Sequence, residues 1–265
     1  MAKSKQDTAG AEARPARLVA LGSPADDSEH SAEFVRLLKL SERREPLVVQ
    51  VATWIGMGVI EGRLAPGQDL NSVELSRRFQ TSRTPIREAL MLLEQEGLVE
   101  IRARRRPRVA AFTPRQIREI YEVRQHLLAL AGRLVAASID PAGLEDLRFR
   151  VRQMRVFADA GDVDSYFWAH VALQERMAEI AGNATLKSIL DTLALRTLVL
   201  RHASLAQEGR LQASIADQEL IFGSIADHDP ELTAMLLARA TRAALAAIER
   251  SDWTATAATA AATSI

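Results

Sequence analysis

The sequence contains no cysteine among its 265 residues. Disulfide frameworks and cysteine-ligated zinc fingers need several cysteines at defined spacings, so both are excluded. No apolar run approaches the roughly 20 residues that a membrane-spanning helix requires. The N-terminus also lacks the clean apolar core and cleavage site of a secretory signal. These absences predict a cytoplasmic protein that does not span a membrane.

The chain also has no excess of charge of one sign, because 34 basic residues balance 34 acidic ones. Binding to a polyanion would therefore depend on how the charges are distributed along the chain. Residues 71–110 are unbalanced, with nine arginines against five glutamates. Such a local excess of arginine is what neutralisation of phosphate groups requires.

The same stretch has the pattern of a helix-turn-helix. Val73, Leu75 and Phe79 form the apolar face of a short supporting helix. A second helix is predicted to begin near Arg83, with an N-cap before it and Pro85 in its first turn, where the missing N–H costs nothing. Hydrogen-bond donors cluster at the N-terminal end of this helix, the end that enters the major groove in DNA readers. The candidate DNA contacts are Ser82, Arg83, Thr84 and Arg87.

An arginine-rich hairpin follows the second helix. Gly97 ends the helix, and residues 98–101 alternate as a strand does. The next residues include a run of arginines without an acid among them, and beside a helix-turn-helix such a run is expected to neutralise phosphates or enter the minor groove. The candidate contacts are Arg104, Arg105 and Arg106. A purely structural wing is the alternative.

The fold class predicted from these patterns is mainly α, with a winged helix-turn-helix at residues 46–112 followed by an all-α antiparallel bundle at residues 113–252. Six helical segments with apolar residues at helical spacing fill the second domain, separated by glycine, proline and aspartate. Residues 1–45 are expected to be a disordered or partly helical tail, and residues 253–265 a low-complexity tail.

The motifs in the first domain resemble the GntR family of bacterial transcription regulators. The run GxLxPGxxL at residues 62–70, SRTPIREAL at residues 82–90 and EGLV at residues 96–99 carry the resemblance. It implies that Ser82, Arg83, Thr84 and Arg87 contact an operator. One departure is the arginine run at 104–106, where family members commonly have a glycine at the tip of the wing.

The order of a reading head and a helical second domain resembles the FadR branch of that family, whose second domain is called FCD. This resemblance implies a homodimer that reads an inverted repeat in double-stranded DNA, with a small organic effector, for example an organic acid, inside the bundle. Arg124 matches an arginine that would hold the carboxylate of the effector. A surface or interdomain salt bridge is the alternative for this residue.

Many FCD domains hold a divalent metal, and this sequence departs from their ligand pattern. The four ligand positions fall on His170, Gln174, Gln218 and Ala240. Neutral amides are poor ligands for first-row metals, so no metal cofactor is expected. His170, Gln174 and Gln218 are instead predicted to line a pocket with Arg124 and to bind the effector directly. Exposure on the helix surface is the alternative.

The sequence thus predicts a ligand-responsive DNA-binding regulator, more specifically a repressor. The competing hypothesis is a constitutive DNA-binding protein whose degenerate sensor domain serves only dimerisation. An enzyme is not expected, because no glycine-rich phosphate loop and no activated nucleophile appear.

Overall fold

Ten helices and one short two-stranded hairpin make up the part of the chain that the computed structural model describes, residues 30–38 and 45–251. In chain order the elements are α1 (Ser31–Leu37), α2 (Pro46–Ile60), α3 (Ser72–Arg78), α4 (Arg83–Gln95), β1 (Val99–Glu100), β2 (Arg108–Val109), α5 (Pro114–Ser138), α6 (Pro141–Ala160), α7 (Val163–Ile180), α8 (Ala184–Leu205), α9 (Arg210–Ala226) and α10 (Pro230–Arg250). The predicted fold class, a winged helix-turn-helix followed by a helical bundle, is confirmed.

Helix α2 is the centre of the reading head. Its residues from Val51 to Ile60 are all buried, because α1, α4 and α8 pack around it. A helix that is apolar on every side is stable only where other elements cover it completely. The head is therefore built around α2, with α3, α4 and the hairpin outside it.

Helix α1 covers one side of α2. The ring of Phe34 is fully buried and lies against Gly56, where an added Cβ would come within 2.1 Å of the ring. Residues 30–38 of the predicted N-terminal tail are thus folded against the head. Residues 1–29 and 39–44, like the predicted C-terminal tail, lie outside the described residues.

The hairpin after α4 forms the wing. Val99 pairs with Val109 and Glu100 with Arg108 in antiparallel register. The segment before α3 adds to this ladder, since the amide of Leu70 donates to the carbonyl of Pro107 at 2.7 Å. The wing is therefore anchored at its base on both sides.

Helices α5 to α10 form the helical domain, and most of them begin at a side-chain cap. Thr113 caps α5 in a reciprocal capping box with Gln116, and aspartate or asparagine side chains cap four of the later helices: Asp140, Asp162, Asn183 and Asp229. Helices α5 and α10 approach closely at Gly132, where an added Cβ would lie 2.1 Å from Leu237. These six helices are the six segments expected from the sequence.

The head contacts the helical domain directly. The indole nitrogen of Trp168 on α7 donates to Glu61 at the end of α2 at 3.4 Å, and Arg196 on α8 lies against Gly97 of the head.

No helix among the described residues is long and apolar enough to cross a membrane.

Candidate nucleic-acid interface and sensor pocket

Helix α4 presents the predicted contact residues on its outer side. Its inner face is buried and packs Ile86, Leu90 and Leu93 into the head. The four candidate residues are all exposed at its N-terminal end: Ser82, Arg83, Thr84 and Arg87. The amphipathic spacing of the sequence therefore places them together on the open face of the head.

These side chains are not engaged inside the protein. Ser82 occupies the N-cap position, but its hydroxyl accepts no capping hydrogen bond, in contrast to Asn71 at the start of α3. Within residues 30–38 and 45–251, neither Arg83 nor Arg87 forms an ion pair. The hydroxyl and the two guanidinium groups can thus bind phosphates or base edges without first breaking a bond in the head.

The wing divides its arginines into two groups that the sequence did not distinguish. At the base, Arg102 donates to Glu100 at 2.7 Å and Arg108 to Asp69 at 2.6 Å. At the tip, the remaining three are exposed and form no ion pair with any described residue: Arg104, Arg105 and Arg106. The tip is therefore the part of the wing with unneutralised charge.

The backbone at the tip of the wing takes a left-handed conformation at Arg104, whose φ is +61°. Glycine adopts this conformation at little cost, whereas an arginine is strained there. The tip of the wing thus has the backbone conformation that favours glycine, but in this chain a positively charged arginine occupies it.

A second site lies inside the helical domain, in a pocket among α5, α7, α8, α9 and α10. It encloses about 530 Å³, including its mouth. Arg124, His170, Gln174 and Gln218 all line it, as does Ala240. Residues that are more than 100 positions apart in sequence therefore converge on one cavity.

The buried side of the pocket contains a chain of hydrogen bonds. Arg124 donates to Gln174 Oε1 at 2.5 Å and to Thr197 Oγ1 at 3.4 Å, while Gln174 Nε2 donates to His170 Nε2 at 3.1 Å. Since His170 Nε2 accepts, the proton of the neutral ring lies on Nδ1, which is buried without a partner. Burial, reinforced by the nearby arginines, lowers the pKa of His170 well below its usual range.

Arg124 does not form the surface salt bridge that was the alternative interpretation. Its side chain is buried, and its two hydrogen-bond partners, Gln174 and Thr197, are neutral. Burial lowers the pKa of Arg124, which means that the charged form is poorly stabilised there. Gln218 is buried as well, so the exposed alternative is also wrong for that residue.

Two further arginines line the pocket, and sequence reasoning missed both. Arg201 on α8 is buried, and its Nε and Nη2 have no hydrogen-bond partner; Arg210 at the start of α9 has a buried Nε without one. Burial and the charge of Arg124 lower the pKa of Arg201 to about 9. This value keeps Arg201 protonated at neutral pH, and the pocket is lined by three guanidinium groups, those of Arg124, Arg201 and Arg210.

The acidic groups near the pocket do not balance this charge. Asp217, the one acid among the residues that line the described cavity, accepts from Arg239 at 2.8 Å. No group of three or more His, Asp or Glu among the described residues is placed to hold a metal ion. The cavity is therefore cationic, because its three arginines face one carboxylate that is already paired.

The arrangement of an exposed helix in a helix-turn-helix, a basic wing and a separate helical domain with a cationic pocket defines a class of protein, the DNA-binding transcription regulators with a second, all-helical domain. Comparison with known proteins makes the family explicit. Residues 47–109 match the model of bacterial regulatory proteins of the gntR family, and residues 119–243 match the FCD domain. The chain belongs to the GntR family, and its second domain is an FCD domain.

Named relatives support this assignment. The chain is 27% identical over 79% of its length to the "Probable D-xylose utilization operon transcriptional repressor" of Paenarthrobacter nicotinovorans, covering 92% of that protein. It is 29% identical over 55% of its length to the gluconate operon transcriptional repressor of Bacillus subtilis, covering 59% of that protein. Both are regulators rather than enzymes, as the sequence predicted.

Solved structures show the same fold. E. coli McbR/YncC matches with a TM-score of 0.66 at 20% identity, over 78% of this chain and 99% of that one. A GntR regulator from Rhodococcus sp. RHA1 matches with a TM-score of 0.63 at 19% identity, over 76% of this chain and 97% of that one.

Proposed function

We propose that this regulator is a dimeric repressor whose affinity for an inverted-repeat operator changes when a small organic anion binds in the sensor pocket. The observation that carries the proposal is the buried Arg124, held in place by Gln174 and Thr197 without an acidic partner. Its relatives named as operon repressors support the sign of regulation. A protein that acts on chromosomal DNA in this way works in the cytoplasm.

The energetics of the pocket favour an anionic ligand. Removing a charged group from water costs several kcal/mol by order of magnitude when no opposite charge compensates it. A ligand carboxylate supplies that charge and accepts two parallel hydrogen bonds from a guanidinium. His170 Nδ1 and the hydroxyl of Tyr121, both buried without a partner, are further donors for its oxygen atoms.

We also propose that the anion binds without a metal cofactor. The amide oxygen of Gln174 already accepts from Arg124, and the ring nitrogen Nε2 of His170 is taken by the Gln174 amide. The fourth position, Ala240, has no donor atom. Three cationic side chains around the same cavity also oppose a divalent cation, so this donor set does not fit a metal ion.

The pocket is connected to the head through α7 and α1. Gln174 is followed by Glu175, which forms an ion pair with Arg36 on α1. Helix α1 in turn packs on α2 through Phe34 and Gly56. Ligand binding that shifts α7 would thus change how the head is held, and the regulator would respond by a shift between two populations of head arrangement.

Operator binding in the presence and absence of anions tests the proposal. An operator is first selected from random double-stranded DNA with the purified full-length protein, and its affinity is then measured with a panel of mono-, di- and tricarboxylates. At least one acid is expected to change the affinity about 5- to 150-fold, the usual range of allosteric coupling. Arg124→Gln should abolish this response, whereas Arg133→Gln, a surface arginine paired with Glu231, should keep it.

The constitutive alternative makes a different prediction for the same measurements. If no acid alters operator affinity, and the wild type and Arg124→Gln bind the operator equally at every acid concentration, the helical domain serves dimerisation alone. Operator binding by itself would then be the whole function.

A further inference from the structure

The three arginines of the pocket converge on the same two side chains. Arg124, Arg201 and Arg210 line the same cavity as His170, and the positive charge of each lowers the pKa of that histidine further. Tyr121, which lies about one turn before Arg124 on α5, lines the cavity too, and the same three charges act on it. The three arginines therefore share one cavity with both side chains.

Arg201 is the least compensated of the three. It is 7% exposed, and its one aromatic contact is with Phe167, 5.8 Å from the ring centre. The acid whose charge raises its pKa is Glu175, and that carboxylate is already paired with Arg36. Two of its nitrogen atoms, Nε and Nη2, are thus buried donors without a hydrogen-bond acceptor.

A single carboxylate cannot neutralise this pocket. One carboxylate pairs with one guanidinium in the bidentate manner, and the charges of the other two arginines, at least one of them buried, would remain unbalanced. We infer that the effector carries at least two negative charges, as a dicarboxylate or a phosphate ester does, and that Arg201 and Arg210 bind the second charge. This inference rests on the proposed function, since it specifies the ligand of the same pocket.

The walls of the pocket limit what lies between the two charges. Leu128, Leu205 and Leu237 contribute apolar surface on three different helices. A short hydrocarbon segment between two anionic groups fits such a lining. The segment in the middle of the ligand would contact the leucines, and the charged groups at its two ends would contact the arginines.

Thermal unfolding of the full-length protein tests the inference with defined probes. Succinate, butyrate and inorganic phosphate are compared at equal ionic strength, adjusted with sodium chloride. Succinate or phosphate at 100 times its Kd is expected to raise Tm by about 5 °C or more. Butyrate has the same number of carbon atoms and one carboxylate fewer, and it should raise Tm far less. A rise in Tm with succinate but not with phosphate would identify the effector as a dicarboxylate. A rise with phosphate but not with succinate would identify it as a phosphate ester.

Arginine variants connect the effect to the pocket. In the absence of a probe, Arg201→Gln should raise Tm, because it removes a buried charge that lacks a partner, and it should also abolish the gain from succinate or phosphate. Arg210→Gln, at a less buried site, should raise the Kd for succinate or phosphate at least tenfold and thereby reduce the gain in Tm. Arg133→Gln serves as the surface control and should behave as the wild type.

Three results would overturn the inference. Equal stabilisation by butyrate and succinate would show that one charge suffices, and the proposed function would still stand. An equal gain in the wild type and in Arg201→Gln would place anion binding elsewhere, and the absence of a gain from both dianions would exclude both ligand classes. If succinate stabilises the wild type through Arg201 but leaves operator affinity unchanged, the proposed function fails and the inference about the ligand holds.

Discussion

We expect single residues at the N-terminal end of α4 to decide how the head meets DNA. Arg83 and Arg87 lie one helical turn apart on the exposed face and form no ion pair with any residue that the structure describes. If they reach base edges, each makes a contact that depends on the identity of one base pair. If they reach phosphates, they contribute equally on every sequence.

Substitution of these two arginines separates the two possibilities. Arg83→Ala and Arg87→Ala should each weaken binding to the selected operator by about 1–3 kcal/mol and relax the preference at one position. Titration of operator and of single-base variants of it by fluorescence anisotropy measures this. Arg133→Ala is the control. A loss of the same size on all DNA sequences would reassign the residue to a phosphate contact.

His170 gives a second prediction at the scale of one residue. Its pKa in the folded protein is lowered well below 6.5, the value for an unperturbed histidine, so the unfolded chain takes up the proton first as the pH falls. The stability linked to this histidine is therefore fully present above about pH 7 and is lost as the pH falls through 6.5.

Chemical unfolding at several pH values tests this sign. The free energy of unfolding of the wild type should fall between pH 7.5 and pH 5.5, and that of His170→Gln should fall by less over the same interval. Parallel decreases in the two proteins would mean that His170 is charged in the folded state or is exposed to solvent.

Among the elements, the wing has a structural base and a charged tip. The base arginines are paired with Glu100 and Asp69, and the tip arginines are not paired within the described part of the chain. Replacement of residues 104–106 by alanine should thus reduce the slope of log K against log salt by about 0.9 for each phosphate contact that is lost. A DNA titration between low and physiological salt measures the slope. An unchanged slope would leave the wing with a structural role alone.

Helix α1 is a short element whose stability comes from packing on its neighbours. Phe34 fills the space above Gly56, and Phe34→Ala should destabilise the protein by about 3–5 kcal/mol through the cavity that it creates. Arg36→Ala, which breaks exposed ion pairs on the same helix, should cost about 1 kcal/mol or less. Urea unfolding compares the two variants. Equal small effects would show that α1 is detached from the head in solution.

At the scale of the whole molecule, recognition of an inverted repeat requires two copies of the head. Large apolar side chains that remain exposed in a single chain indicate where a second copy could pack. Phe149 and Val156 are seven residues apart on α6, hence on one face, and are 58% and 65% exposed. Leu220 on the neighbouring α9 is 53% exposed.

The oligomeric state of a charged variant tests this surface. We expect the wild type to be a dimer by light scattering after size-exclusion chromatography, and Phe149→Glu combined with Val156→Glu to be a monomer with weaker operator binding. Met235→Glu, at an equally exposed residue of α10, is the matched control. A monomer produced by the control and a dimer that survives the double substitution would move the interface to α10.

The sequence by itself determined the elements of this protein and which residues of α4 face outward. Capping residues such as Thr113 and Asp140 and the spacing of Ile86, Leu90 and Leu93 act over one or two helical turns, so the helices and the outward side of α4 follow from local pattern. Family resemblance added the pocket residues Arg124, His170, Gln174 and Gln218.

Only the tertiary structure decided the charge of the pocket. Nearly every residue of α8 between Leu195 and Leu205 is buried, so helical periodicity does not distinguish Arg201 from the apolar residues around it. Its environment depends on α5, α7, α9 and α10, which meet around α8 only when the bundle packs. Whether a buried arginine has a counter-charge is therefore a property of the packed domain, because electrostatic compensation depends on distances that local sequence does not contain.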